Sequence, residues 1–327
     1  MINMLKIERF KSIKLLQLDC RRVNLFIGEP NVGKSNILEV IGLLSWLGAP
    51  VAELKNYVRF QLAQNLFYDG IMDDPVRIEW QGDPSDCITV RFRQNLFVIQ
   101  REDPPGEQIA VIRYDGAVHG GVNRLPLAEV FRFYRFQLAD KFESDSPSAL
   151  IPPHGPNLFS VVYASKALRE RMAGLFRSYG LKLVMKPHEK HFELQKEADG
   201  IVTAVPYSMV SDTLQRVIFY SVAIASNKNA ILAFEEPEAH AFPFFTKHLG
   251  ETIAMDESNQ YFIATHNPYL LNAVVEKAKK ADVCVFLTYF RDYETRVKPV
   301  TDDALSKLLD ADPFLSIESL LSEEATA

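Results

Sequence analysis

The stretch VNLFIGEPNVGKSNILEVIGLL, residues 23–44, constrains this chain more than any other. A short apolar run ends at Gly28, a loop follows, and apolar residues then recur at helical spacing through SNILEVIGLLSWLG. Between them Gly28 to Ser35 read G-E-P-N-V-G-K-S, which fits the pattern G-x-x-x-x-G-K-[ST]. Glycines at the two ends let backbone N–H groups turn inward around a phosphate, and the positive end of the following helix adds to the attraction. The pattern assigns Lys34 to the β- and γ-phosphates and the Ser35 hydroxyl to Mg²⁺. The expected nucleotide-binding segment is therefore Gly28, Glu29, Pro30, Asn31, Val32, Gly33, Lys34, Ser35 and Asn36.

Bulk properties narrow the setting. With 327 residues, 47% of them hydrophobic, the chain can bury a large core as one domain or two closely packed lobes. Cys20, Cys87 and Cys284 lie far apart with no C-x-x-C spacing, which points to a reducing cytoplasm and away from zinc or a disulfide framework. The amino terminus has no signal-peptide core, and the longest apolar run is broken by Ser45, Gly48 and Pro50, so no membrane is expected. A net charge of -6 argues against a protein that lives by neutralising phosphate backbones. The basic clusters VRFRQ, FRFYRF and SKALRERMAGLFRS read first as solvated faces of strands and a helix.

The periodicities divide the chain into four segments. Residues 1–48 hold a strand or hairpin, MLKIERFKSIKLLQLD, and the glycine loop with its helix. Residues 65–140 carry short β-like runs separated by turn residues, an inserted antiparallel sheet. Residues 143–226 begin with the loop-like ESDSPSALIPPHGPN and continue through the helical LFSVVYASKALRERMAGLFRSYG. A hairpin turning at Asp199-Gly200 follows, then the helix SDTLQRVIFYSVAIASN, capped by Ser211 or Asp212. Residues 227–327 open with AILAFEEPEAH and QYFIATHNP, whose continuous apolar character suits central strands of a parallel sheet, and end with a helix around DDALSKLLDA. The class is α/β, with a mostly parallel central sheet, an antiparallel insertion and a helical lobe.

Two further motifs carry chemistry. ILAFEEPEAH ends an apolar strand in adjacent carboxylates, Glu235 and Glu236, at the edge where parallel α/β sheets bind ligands. Neighbouring strand residues face opposite ways, so one carboxylate can hold Mg²⁺ while the other orients water. In QYFIATHNP an apolar strand ends at Thr265 and His266, which would bring an imidazole to the γ-phosphate.

With these three motifs in this order, the chain resembles the ABC-type ATPase head shared by SMC, RecF and OLD-family proteins. It looks most like the compact bacterial AAA-type ATPases described with OLD nucleases and phage-defence systems. The resemblance runs from Met4 to about Tyr289, with Gly28–Ser35 as Walker A, Ile231–Glu236 as Walker B and His266 as the switch histidine. It implies a P-loop NTPase of ABC-ATPase type with ATP and Mg²⁺ as cofactors. Lys34, Glu236 and His266 would be catalytic, and Ser35 and Glu235 would hold the metal. It implies that PEAHAFP, Pro237 to Pro243, meets an opposite subunit, and that MVSDTLQR is the signature motif. Ser211 would then reach the γ-phosphate of the other subunit, with Arg216 nearby on the same helix. The family has glycine two residues after that serine, whereas this chain has Thr213, whose Cβ and methyl obstruct close approach to a phosphate. The family's metal-contacting glutamine is expected in RFQLAQNLFYDG, where Gln61 and Gln64 are candidates and Gln64 is preferred as the metal contact.

The resemblance implies an ATP hydrolase that forms a homodimer or higher assembly through an ATP-sandwich interface. It would regulate a separately encoded effector, a nuclease or toxin of bacterial antiviral defence, because no Toprim-like acidic cluster follows His266. The alternative is a RecF-like DNA-binding ATPase of repair or recombination, which a basic stripe from Arg91, Arg93, Arg132, Arg135, Arg169 and Arg171 would favour. A nucleotide-binding module without hydrolysis is the third reading; Glu236 and His266 argue against it.

Overall fold

The computed structural model describes residues 1–48, 53–102, 106–301 and 303–305. The chain opens with β1 (Ile2–Phe10), β2 (Ile13–Asp19), β3 (Val23–Ile27) and the helix α1 (Lys34–Gly48). Strands β4 (Val76–Gly82), β5 (Asp86–Arg93), β6 (Leu96–Arg101), β7 (Gln108–Ile112) and β8 (Phe131–Tyr134) follow. A lobe holds α2 (Leu158–Ala164), α3 (Lys166–Arg177), β9 (Lys182–Lys186), β10 (His191–Ala198), β11 (Ile201–Pro206) and α4 (Asp212–Ser226). The last part is β12 (Ile231–Glu235), α5 (Pro243–Met255), β13 (Gln260–Ala264), α6 (Pro268–Lys277), β14 (Val283–Arg291) and β15 (Glu294–Pro299).

The central sheet has the order β15-β14-β3-β13-β12-β8. All its neighbours run parallel except β15, which turns back antiparallel on β14. Both faces are covered, which is why its central strands β12 and β13 read as apolar runs. Side chains alternate between two cores. Phe26, Ala233 and Phe262 pack with α1 and the antiparallel sheet, while Leu25, Phe234 and Ile263 pack with the helices of the opposite face. Helix α1 lies between two sheets, and every residue from Ile37 to Gly48 is buried. That burial suits a helix apolar on nearly all sides.

The strand pairing cuts across the expected segment limits. The second sheet has the order β2-β1-β4-β5-β6-β7, so the amino-terminal hairpin pairs with the antiparallel strands and not with β3. Conversely, β8 leaves that sheet and pairs in parallel with β12. Trp80 of β4 meets Phe131 of β8 edge-on at 5.5 Å, joining the two layers. The third sheet, β11-β10-β9, turns at Asp199 and Gly200, both at positive φ. The expected single helix from Leu158 is two helices, because Ser165 leaves helical geometry and caps α3 through the Leu168 amide. The helix expected at DDALSKLLDA lies, apart from residues 303–305, outside the described residues. Among the described residues no helix is long and apolar enough to cross a membrane.

Candidate functional site

The loop between β3 and α1 is shaped by what surrounds it. Gly28 has φ +146°, and a Cβ there would lie 2.1 Å from the Thr288 carbonyl oxygen. Gly33 has φ +100°, and its Cβ would lie 2.0 Å from Thr295 Oγ1. Positive φ and close approach together leave room only for glycine. A chain of hydroxyls braces the loop: Thr295 Oγ1 donates to the Val32 carbonyl at 2.9 Å, and lies 2.7 Å from Ser12 Oγ. Asn36 Nδ2 in turn donates to Ser12 Oγ at 2.6 Å.

Strands β3, β12, β13 and β8 end at one edge, and a cleft of about 750 Å³ opens there. Pro30, Asn31, Gly33, Lys34, Ser35 and Asn36 line one side of it. Glu235, Glu236 and His266 line the other. Glu236 follows the end of β12 with φ 43°, a left-handed conformation that is uncommon for a side chain of this size and directs it away from the strand. Its Oε1 lies 3.4 Å from His266 Nε2. Burial lowers the His266 pKa, and the neighbouring Lys34 charge lowers it further, which favours the neutral imidazole.

Glu235 is the more enclosed carboxylate. Burial works to raise its pKa, but the hydrogen bond from Ser35 and the charges of Arg135 and Arg59 hold it below the ordinary value. Arg59 Nη2 donates to its Oε1 at 2.9 Å and Arg135 Nη2 to its Oε2 at 3.0 Å. Behind Arg59 and Arg135, Glu39 of α1 is fully buried and ion-paired with Lys11, Arg59 and Arg135. Glu238 is buried beneath His266. One of its oxygens accepts from the Thr265 hydroxyl and, at 3.3 Å, from the His266 amide, while Oε2 has no hydrogen-bond partner among the described residues.

The remaining expected residues stand elsewhere. Gly28, Glu29 and Val32 shape the loop without facing the cleft, although Gly28 and Glu29 lend their carbonyls to Lys34. Gln64 is not in the cleft lining. It sits in a short helical turn, where its Nε2 donates to the Gly70 carbonyl at 3.0 Å, and from the same segment Arg59 enters the cleft instead. Ser211 is exposed and caps α4 through the Leu214 amide, outside the lining. Thr213 Oγ1 donates to the His240 carbonyl at 2.6 Å, tying the first turn of α4 to the loop after Glu236. Arg216 lines the cleft, paired with Asp212 at 2.9 Å and stacked over Phe136 at 4.7 Å.

The sequence singles out neither Arg59 nor Glu39, includes Glu238 only in the Pro237–Pro243 loop expected to meet an opposite subunit, and counts Arg135 only as part of a basic stripe. Glu39 left a signal: a lone charge inside ILEVIGLL on an otherwise apolar helix must find buried partners. Five of the six arginines of that stripe are spread over β5, β8 and α3, and Arg135, just after β8, faces the cleft.

The cleft suits a polyphosphate. Lys34 is buried, its ammonium donates to the carbonyls of Gly28 at 2.8 Å and Glu29 at 2.6 Å, and no carboxylate pairs with it among the described residues. Burial pushes its pKa down to about 8, a cost that an anion in the cleft would relieve. Among the described residues no group of three or more His, Cys, Asp or Glu side chains could hold a metal alone. Ser35 and Glu235 are adjacent, which fits Mg²⁺, an ion commonly held by one or two protein oxygens together with substrate phosphates.

Residues 129–272 match a family model described as "AAA domain, putative AbiEii toxin, Type IV TA system". Among solved structures, an SMC head bound to the C-terminal winged-helix domain of ScpA aligns with a TM-score of 0.57 at 15% identity, covering 94% of this chain and 99% of that one. An SMC head from Pyrococcus furiosus, with an extended coiled coil and bound to the C-terminal domain of ScpA, aligns with a TM-score of 0.52 at 14% identity, covering 94% and 98%. No curated protein matches the chain in sequence.

Proposed function

Since the chain has the fold of an ABC-type ATPase head like those of SMC proteins, we propose that it binds and hydrolyses ATP. The observation that carries this reading is the meeting of Lys34, Ser35, Glu235, Glu236 and His266 in one cleft from three separate strand ends. Lys34 and the loop amides hold the phosphates. Glu236 orients the attacking water and takes its proton. His266, beside Glu236, directs a ring nitrogen to the same place. Ser35 and Glu235 would hold Mg²⁺, which when bound neutralises charge on the phosphates. The test is fluorescent ATP binding and phosphate release by the wild type and by Lys34→Ala. Loss of nucleotide affinity with a retained circular-dichroism spectrum is expected, and unchanged affinity would overturn the assignment.

The same reading makes the working form a head-to-tail dimer or higher assembly. Ser211 is exposed at the start of α4, and the Thr213–His240 bond places it beside the loop after Glu236. Met209 and Phe242 on these two segments are 74% and 68% exposed, so apolar surface is available to a second copy. A separately encoded effector, a nuclease or toxin of antiviral defence, is the output this reading assigns, in line with the toxin-system description of the matching family model. The three free cysteines suit the cytoplasm. No observation favours a DNA clamp.

A further inference from the structure

Both oxygens of Glu235 are already engaged, Oε1 by Arg59 and Oε2 by Arg135. A single nitrogen, Arg135 Nη2, lies 3.0 Å from Glu235 and 3.5 Å from Glu39 and so bridges the two carboxylates. Arg59 reaches them with separate nitrogens, Nε to Glu39 at 2.6 Å and Nη2 to Glu235. Lys11, Arg59 and Arg135 together exceed Glu39 and Glu235 by one positive charge. A free divalent cation at Glu235 would have to displace charge-assisted hydrogen bonds while standing beside three cationic groups. A polyphosphate reverses that balance, because it offers the arginines better acceptors. Arg59, Arg135 and Lys34 all line the same cleft. If Arg135 turns away, Glu39 still keeps Lys11 and Arg59, so no buried carboxylate is left bare.

We propose that Arg135 is an exchange residue, which caps Glu235 and passes to phosphate oxygens when a nucleoside triphosphate enters. Glu235 becomes available to a metal only with or after the nucleotide. Arg135 thereby favours triphosphate over diphosphate, since the diphosphate supplies fewer acceptor oxygens and less charge. Arg135 is placed for this by β8, which ends at Tyr134, and its guanidinium lies 5.1 Å from the Phe133 ring centroid. The inference rests on the reading of the cleft as an ATP site.

Two titrations test it. Mn²⁺ binding is followed by electron paramagnetic resonance on nucleotide-free protein, and fluorescent ATP and ADP are titrated in EDTA. Wild type, Arg135→Gln and Arg135→Lys are compared, with Lys34→Ala as the control for the phosphate loop. Wild type is expected to take no Mn²⁺ without nucleotide and to bind ATP without metal. Arg135→Gln is expected to take Mn²⁺ without nucleotide and to bind ATP about tenfold to a hundredfold more weakly, the loss of a charge-assisted hydrogen bond, with a smaller loss for ADP. Arg135→Lys, which keeps the charge, is expected to keep the block on Mn²⁺. Wild type that takes Mn²⁺ without nucleotide would overturn the exchange. So would Arg135→Gln with wild-type ATP affinity and no Mn²⁺ binding. Wild type that binds neither nucleotide would instead overturn the reading of the cleft itself.

Discussion

Glu238 shows how burial decides what one side chain can do. It is 5% exposed, one oxygen lacks a partner among the described residues, and desolvation raises its pKa from 4.5 to about 7 against the hydrogen bonds from Thr265 and His266. Above pH 4.5 the unfolded chain loses this proton while the folded protein keeps it, so stability falls as pH rises until the folded group also titrates near 7. The loss across that window is roughly 3 kcal/mol at most, from about 1.36 kcal/mol per pKa unit. Glu238→Gln has no proton to lose, and its urea stability is expected to fall less than that of wild type between about pH 5 and about pH 8. Equal pH dependence in the two proteins would show that Glu238 does not titrate in this way. Lys34, Glu235, Glu236 and His266 were legible because each closes a contiguous motif. Arg59 and Arg135 were not, because their partners Glu39 and Glu235 lie far away in sequence and only the fold brings them together.

The hairpin of β14 and β15 supports the glycine loop from outside its motif. Thr295, on β15 and 1% exposed, donates to the Val32 carbonyl at 2.9 Å and contacts Ser12 Oγ at 2.7 Å. Thr295→Val keeps the shape but removes that donor and leaves a buried carbonyl unsatisfied. About 1–3 kcal/mol of stability should be lost, together with some nucleotide affinity, because the loop is less firmly held. Urea unfolding and fluorescent-ATP titration measure the two effects, and a variant unchanged in both would remove β15 from the support of the site. Nothing in ETRVKPV announces this role, since a lone threonine in a short alternating strand is commonplace. The short antiparallel strands were legible from their turns, and β12 and β13 from their apolar runs. The pairing of β1 with β4 and of β8 with β12 was not, since local pattern carries no record of long-range partners.

At the scale of the whole molecule, the central sheet places the glycine loop, both carboxylates and His266 at one edge. Ser211 stands apart from that cleft, capping α4 on an exposed surface. A serine so placed serves a phosphate only if a second copy brings its own cleft to it, so hydrolysis and assembly should depend on one another. Thr213 stays within the chain, bonded to His240, and links the start of α4 to the loop that Glu236 begins. The measurement that tests this most directly is size-exclusion chromatography with light scattering on Glu236→Gln, with and without Mg·ATP, beside a phosphate-release assay. The variant should bind ATP, lose hydrolysis by about a hundredfold or more, and shift from the 37.1 kDa chain to a dimer or larger assembly only when ATP is present. Wild-type turnover, or an ATP-bound variant that stays monomeric, would contradict the account.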